Sequence, residues 1–276
     1  FFYVEMVGSK RTADAALYRL LCELRLGTPS EQTAELMRFL LIDAAPAEPD
    51  ATIISGRNAE VDAINSARLA KLNAPQSSFE GVYEALQSGV SEQKIQKWIA
   101  SLNAPQSLIL KEGAKVLFTA NKSGEFFNGE QGVVEKIEKS SGDEIESVVV
   151  KKPSGILSRV GLQTYELSEI AASGTDAEQV VLARYYQFPL KLAYAITIHK
   201  SQGMSIPQLI CDIDRIFAKG QLYVALSRAT SLAGLGVIYT RAEPLLRYLQ
   251  RNASADETVV KFYQENEFYK ISDQKI

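Results

Sequence analysis

The 276 residues carry 30 Lys and Arg against 33 Asp and Glu, a formal charge of −3, and are 46% hydrophobic. That balance suits one or two domains with a sizeable core and excludes a broadly basic surface, so any contact with a polyanion must be confined to a local groove. No apolar run approaches the roughly 20 residues of a membrane span, the first residues lack a secretory pattern, and Cys22 and Cys211 are too few for a disulfide framework; a soluble chain in a reducing cytoplasm is expected.

The chain opens on FFYVEM, a strand-like run without an initiator methionine, as expected of a fragment of a longer protein. In KRTADAALYRLLCELRLGTP, Leu17, Leu20, Leu21 and Leu24 recur at helical spacing, and Gly27 with Pro29 stops the helix. Thr52 to Ser55 is a short β-rich run. Arg57-Asn58 then opens a helix from Ala59 to Leu72 with Val61, Ile64 and Leu69 on its inner side, and Asn58 is expected to cap it. Strand, polar turn and helix form the repeating unit of a parallel α/β sheet. Between Ala74 and Pro105 the chain reads as polar, mixed-sign and helix-like, with the single Trp98 packed on the sheet's edge.

From Leu108 the residues alternate apolar and polar, with turns at Asn128-Gly129 and Ser141-Gly142, which predicts an antiparallel β module inserted from about Lys111 to Gln187. Lys115, Lys122, Lys136, Lys151 and Lys152 could give it a local basic face, although alternating lysine and glutamate is also the pattern of ordinary solvated surface. A phosphate-cradling G-x-x-x-x-G-K-[ST] loop is absent: the run from Gly124 to Gly129 is followed by Glu130 and Gln131. Neither Asp143-Glu144 nor Asp256-Glu257 follows a buried strand, where an acidic pair holding Mg²⁺ would stand.

Leu192 to Ile198 is short, apolar and β-branched, a buried parallel strand by composition. His199, Lys200, Ser201, Gln202 and Gly203 follow at its carboxyl end, where open α/β sheets hold ligands, and their donors suit an anionic oxygen. A second strand is predicted over Leu209 to Ile213, then a helix over Lys219 to Arg228. There Gln221, Ala225 and Arg228 share one face, while Leu222, Leu226 and Ala229 line another. This spacing anchors the helix and predicts that Arg228 points outward, its planar fork ready for a phosphate. Gly234 to Tyr239 is a further strand. The tail holds a short amphipathic helix from Pro244 to Leu249 and a packed terminal helix carrying Val259, Val260, Phe262 and Tyr263 and ending near Tyr269.

IHKSQG, followed after some twenty residues by GQLYVALSRAT, resembles the fifth and sixth motifs of superfamily 1 DNA helicases, in particular the 5′-to-3′ branch of RecD and Pif-type enzymes. The resemblance implies an α/β fold: a RecA-like parallel sheet with flanking helices, spanning 1–110 and 188–276, interrupted at 111–187 by a small Src-homology-like antiparallel β-barrel. LKEGAKVLFTAN followed by NGEQGVV matches the barrel. It implies contacts to the backbone of single-stranded DNA from Thr197, His199, Lys200, Ser201 and Gln202, with Asn58 from the earlier strand–turn–helix. It places Gly203, Gln221 and Arg228 at the nucleotide, with Arg228 as arginine finger. Arg11-Thr12-Ala13-Asp14 resembles the fourth motif, with threonine where relatives have glutamine; Arg11 is implied as a second catalytic arginine, although by its place alone it is equally a solvated first-turn residue.

The whole implies the carboxyl-terminal half of an ATP-dependent 5′-to-3′ DNA helicase, a monomer whose ATP and Mg²⁺ are bound mainly by a missing amino-terminal RecA-like domain, leaving this fragment inactive alone. DNA repair and recombination are the processes the resemblance implies. Two other readings are a catalytically silent module that binds single-stranded DNA or a partner, and an interaction scaffold whose motifs are relics.

Overall fold

The computed structural model describes residues 2–7, 12–43, 50–142, 144–173, 176–253 and 255–272. The chain divides into two compact units, Phe1–Asp62 with Ala195–Ile276, and Ala63–Tyr194.

In the first unit, short β-branched segments with little polar content form a five-stranded parallel sheet. Its order is Ala195–Thr197, Thr52–Ser55, Leu209–Asp212, Leu235–Ile238 and Leu41–Ile42. Register pairs Thr197 with Ser55 and Cys211 with Ile54, so these strands end side by side. All four residues of Thr52–Ser55 are buried, as an internal strand covered on both faces requires. The Leu235–Ile238 strand is internal, because Leu41–Ile42, too short to read as a strand from sequence, pairs on its outer side. The expected strand from Leu192 to Ile198 is really two pieces. Leu190–Leu192 pairs antiparallel with Lys115–Phe118 in the second unit, and only Ala195–Thr197 joins the parallel sheet.

Ala15–Leu26 is the predicted first helix, burying Leu17, Leu20, Leu21 and Leu24. It packs against the Gln221–Leu226 helix. Asp14 caps it: Oδ1 accepts from the Ala16 and Leu17 amides, and Oδ2 accepts from the amide of Leu232 at 2.8 Å. Beside it, the Thr12 hydroxyl donates to the Thr230 carbonyl at 2.7 Å. The segment resembling the fourth motif is thereby stitched to the last residue of the one resembling the sixth and to Leu232 just beyond it. Arg11 itself lies outside the described residues.

The terminal helix, Glu257–Glu265, departs from expectation. Val259, Val260, Phe262 and Tyr263 are between 38% and 53% exposed, so the helix is not packed into a core. Its aromatics instead gather with those of a two-stranded parallel sheet, Tyr3–Val7 on Phe268–Ser272: Phe262 meets Tyr3 edge-on at 5.1 Å and Tyr263 stacks on Phe268 at 4.6 Å.

The second unit is mainly antiparallel. One sheet has the order Leu157–Val160, Ile145–Lys151, Gln131–Lys139, Lys115–Phe118 and Leu190–Leu192. Its alternation buries Val116, Phe118, Val134, Val148, Val150 and Leu190 in one cluster, with Phe118 and Phe126 stacked at 4.3 Å. Two segments expected to be helix-like are strands. Ser77–Glu80 pairs with Ser107–Leu110, and Val82–Ala85 pairs with the long Gln163–Ser173/Asp176–Gln187 hairpin. Val82–Ala85 is exposed along its length, so no apolar alternation marks it. Trp98 packs where Glu92–Ser101 meets Ala183 and Tyr185.

The double duty of Asp14 makes it a stability determinant. Hydrogen bonds from Leu232 and Leu17 hold its carboxyl below the ordinary carboxylate range. Because the folded-state value is depressed, its contribution is present above the unfolded carboxylate value and is lost as pH falls through the folded one. Asp14→Ala should lower unfolding free energy by about 1–2 kcal/mol near pH 7, as loss of a good N-cap does. Urea denaturation at neutral and strongly acidic pH checks this, and the wild-type advantage should shrink in acid.

Candidate functional site

Three turns leave the parallel sheet at neighbouring strand ends, the position at which open α/β folds bind ligands. The first follows Ser55. Its hydroxyl accepts from the Arg57 amide at 3.4 Å and donates to Glu60 at 2.7 Å, tying the strand end to the first turn of the Asn58–Ala70 helix. Asn58 is therefore the first helical residue rather than its cap, and its side chain is exposed. The Arg57 carbonyl accepts from the Val61 amide at 3.3 Å, so the cap position falls at Arg57, which corrects the expectation.

The second turn follows Asp212. Burial, then the neighbouring Asp214, pushes the Asp212 carboxyl up. Arg215 lies 3.8 Å from Asp212 and 3.3 Å from Glu60, bridging this turn to the Asn58–Ala70 helix. The backbones approach closely: a Cβ on Gly56 would fall 2.3 Å from the Arg215 carbonyl oxygen. Ser55, Glu60 and Arg215 thus frame the site although no sequence motif singled them out. The signal was weak: a serine and a glycine ending a buried strand, and an arginine three residues past another.

The third turn is the 3₁₀ segment His199–Ser201, entered from Thr197 and Ile198. Ile198 donates its amide to the Ser55 carbonyl, tying the first and third turns. His199, Lys200, Gln202 and Gly203 are exposed, as contact with a ligand requires. Gly203 is at φ 81°, and nothing lies within 4 Å of where a Cβ would stand, so its freedom is conformational rather than steric. Thr197 and Ser201 differ. Both are buried, and the Ser201 hydroxyl donates to the Ile198 carbonyl at 2.7 Å. They build the turn rather than line its exposed face.

The sixth-motif segment begins at Gly220, whose φ of 78° starts the helix Gln221–Leu226, shorter than the predicted span. Gln221 is 6% exposed; its Oε1 accepts from the amides of Phe217 and Ala218, while its Nε2 is buried with no hydrogen-bond partner. A buried donor left without a partner costs on the order of 1–3 kcal/mol, and so marks a place where an acceptor would be welcome.

Arg228 corrects the expectation of an outward-pointing side chain. It is 7% exposed and follows the end of the helix, its fork turned inward. Nε donates to the Val224 carbonyl at 2.9 Å, Nη2 to the Ser227 hydroxyl at 2.7 Å, and Nη1 to the carbonyls of Ser201 and Met204, both at 3.4 Å. The apolar stripe places the helix as predicted. What the stripe could not reveal is that carbonyls of the third turn lie where the fork arrives.

In the second unit, Lys122 pairs with Glu125 at 2.8 Å, Lys136 with Glu138 at 3.9 Å and Lys152 with Glu130 at 3.1 Å. Three of the five lysines considered for a basic face are thus compensated by glutamates. Among the described residues no group of three or more His, Cys, Asp or Glu side chains could hold a metal ion, and no helix is long and apolar enough to cross a membrane.

No family model matches the chain. Individual proteins do. The chain is 36% identical over 279 aligned residues to the ATP-dependent DNA helicase Pif1 of Campylobacter jejuni, covering 100% of this chain and 62% of that protein. It is 30% identical to Pif1 of Bdellovibrio bacteriovorus, covering 97% of this chain and 55% of the relative. A crystal structure of Pif1 from Candida albicans superimposes with a TM-score of 0.66 at 26% identity, over 93% of this chain and 59% of that one. One of a Bacteroides Pif1 in complex with ADP-AlF4 gives 0.74 at 22% identity, over 92% and 54%. The chain therefore spans between 54% and 62% of the length of these four relatives.

Gly56→Ala should destabilise the first unit by about 1–3 kcal/mol, the usual cost of overpacking, because the methyl group meets a backbone carbonyl that cannot swing aside. A lowered urea midpoint with unchanged slope is the expected observation.

Proposed function

Because this chain is homologous over its length to the Pif1 helicases, we propose that it is the carboxyl-terminal portion of an ATP-dependent DNA helicase that moves 5′ to 3′ on single-stranded DNA. The observation that carries this reading is the joining of the polar turn after Thr197 to the arginine of the sixth motif, so that groups suited to DNA and to nucleotide share one hydrogen-bonded unit.

His199, Lys200 and Gln202 are the exposed donors that would meet phosphates of the DNA backbone, positioned by Thr197 and Ser201 beneath them. Asn58, exposed at a neighbouring strand end, would extend the same track. The residues also fit ATP: the buried Gln221 Nε2 has an open donor valence, Gly203 is exposed beside the turn, and the Arg228 fork can exchange carbonyl acceptors for phosphate oxygens. ATP supplies the phosphoryl group whose transfer to water drives the cycle. Arg228 would stabilise charge as it develops, with Arg11, which precedes Thr12 in sequence, a second candidate. Mg²⁺ and the phosphate-cradling loop would belong to the remainder of the protein, an amino-terminal RecA-like domain. We assign the RecA-like role to the parallel-sheet unit and the inserted barrel's role to the antiparallel module, and place the working protein in the cytoplasm as a monomer.

In the full-length protein, Arg228→Ala should cut DNA-stimulated ATP hydrolysis by about 10³- to 10⁵-fold, the usual worth of an arginine finger. A steady-state rate within about threefold of wild type would remove Arg228 from that role. Replacing His199 and Lys200 together by alanine should weaken oligo(dT) binding and flatten the dependence of log K on log salt, since each lost phosphate contact lowers the slope by about 0.7 for a single strand. Fluorescence anisotropy across a salt series measures it, and an unaltered slope would place DNA elsewhere.

A further inference from the structure

The guanidinium of Arg228 spans two elements. Nε and Nη2 are held at short range by its own segment, Val224 and Ser227, while Nη1 crosses to the carbonyls of Ser201 and Met204. The main chain repeats the link. Ile206 donates its amide to the Arg228 carbonyl at 2.8 Å, and Ile206 bridges Ala229 in parallel. The turn itself is closed by the Met204 amide on the Ser201 carbonyl at 3.0 Å, so Nη1 binds the acceptor that defines its geometry.

We infer that Arg228 is a positioning residue for the His199–Gly203 turn, holding it in shape through the Ser201 and Met204 carbonyls when no nucleotide is bound. This rests on the proposed reading of that turn as the DNA contact. The fork is essential, because its three nitrogens face acceptors in different directions; a lysine offers its donors from one point and cannot span the same set. The two bonds that cross to the turn, at 3.4 Å, are longer than the two on the arginine's own segment, at 2.9 and 2.7 Å. An anion competing for the guanidinium would break the crossing pair first. Occupancy of the nucleotide site would then loosen the DNA turn, and by linkage DNA held on a rigid turn would oppose that exchange.

The test uses this chain without nucleotide, so that a finger acting only on ATP has no effect to show. Arg228→Ala and Arg228→Lys should both speed hydrogen exchange at the amides of Met204 and Ile206 by at least tenfold and weaken anisotropy-measured binding of a labelled oligo(dT) by a similar factor. Ser227→Ala, which leaves the charge in place and removes the Nη2 acceptor, should shift both readouts the same way by less. Amides 202–206 as protected in Arg228→Ala as in wild type would overturn the positioning role, whatever the affinity. Faster exchange with unchanged oligo(dT) affinity would equally overturn it as a role in DNA contact. Full rescue by lysine would overturn the requirement for the fork. Should the wild-type chain bind no oligo(dT) at any salt, the reading of the turn as a DNA site fails and the inference with it, while the exchange data still report whether Arg228 holds the turn.

Discussion

A buried guanidinium needs an acceptor for its donors, because an unpaired buried charge is far more costly than a paired one. In this chain that demand is met at Arg228 by carbonyls from two segments separated by more than twenty residues. The consequence is organisational. The turn after Ala195–Thr197 and the segment after Gln221–Leu226 cannot move apart without giving up both bonds of the buried Nη1.

The parallel sheet makes that meeting possible. Adjacent parallel strands ending in register deliver their following turns to one edge, and Ser55, Thr197 and Asp212 do so here. Close backbone approach then locks them: Gly56 lies against the Arg215 carbonyl, Ile198 donates to Ser55, and Arg215 reaches Glu60. The sheet is small, but its internal strand Thr52–Ser55 is wholly buried, so the edge that carries the polar groups is rigidly supported.

How much of this is legible in sequence depends on the range of the cause. Leu17, Leu20, Leu21 and Leu24 declare a helix by local spacing, and the valine-rich alternation after Leu108 declares antiparallel strands; both are found. The exposed donors His199, Lys200 and Gln202 follow from a polar run after an apolar strand. Less visible is what depends on a partner distant in the chain. Val82–Ala85 is a strand only because the Asp176–Gln187 strand offers it a ladder, and Leu41–Ile42 only because Leu235–Ile238 does. The inward turn of Arg228 and the burial of Ser201 belong to the same class: helical periodicity assigns a face, but the neighbour waiting at that face is fixed by tertiary contacts. The terminal helix fails in the opposite sense. Its apolar residues resemble a core face, yet only a few aromatic rings from the Tyr3–Val7 and Phe268–Ser272 strands meet them.

Residues 228–232 are where these distant causes converge. Thr12 reaches Thr230 and Asp14 reaches Leu232 from the fourth-motif side; Ser201, Met204 and Ile206 reach Arg228 from the fifth. The threonine that stands where relatives of the resembled motif have glutamine is therefore not a lost function by default, since its hydroxyl makes one of the ties that hold this segment. Each tie is a neutral or charge-assisted hydrogen bond of modest individual worth, and their effect is geometric: they restrict where the Arg228 backbone can be while leaving its longest side-chain bonds the easiest to exchange.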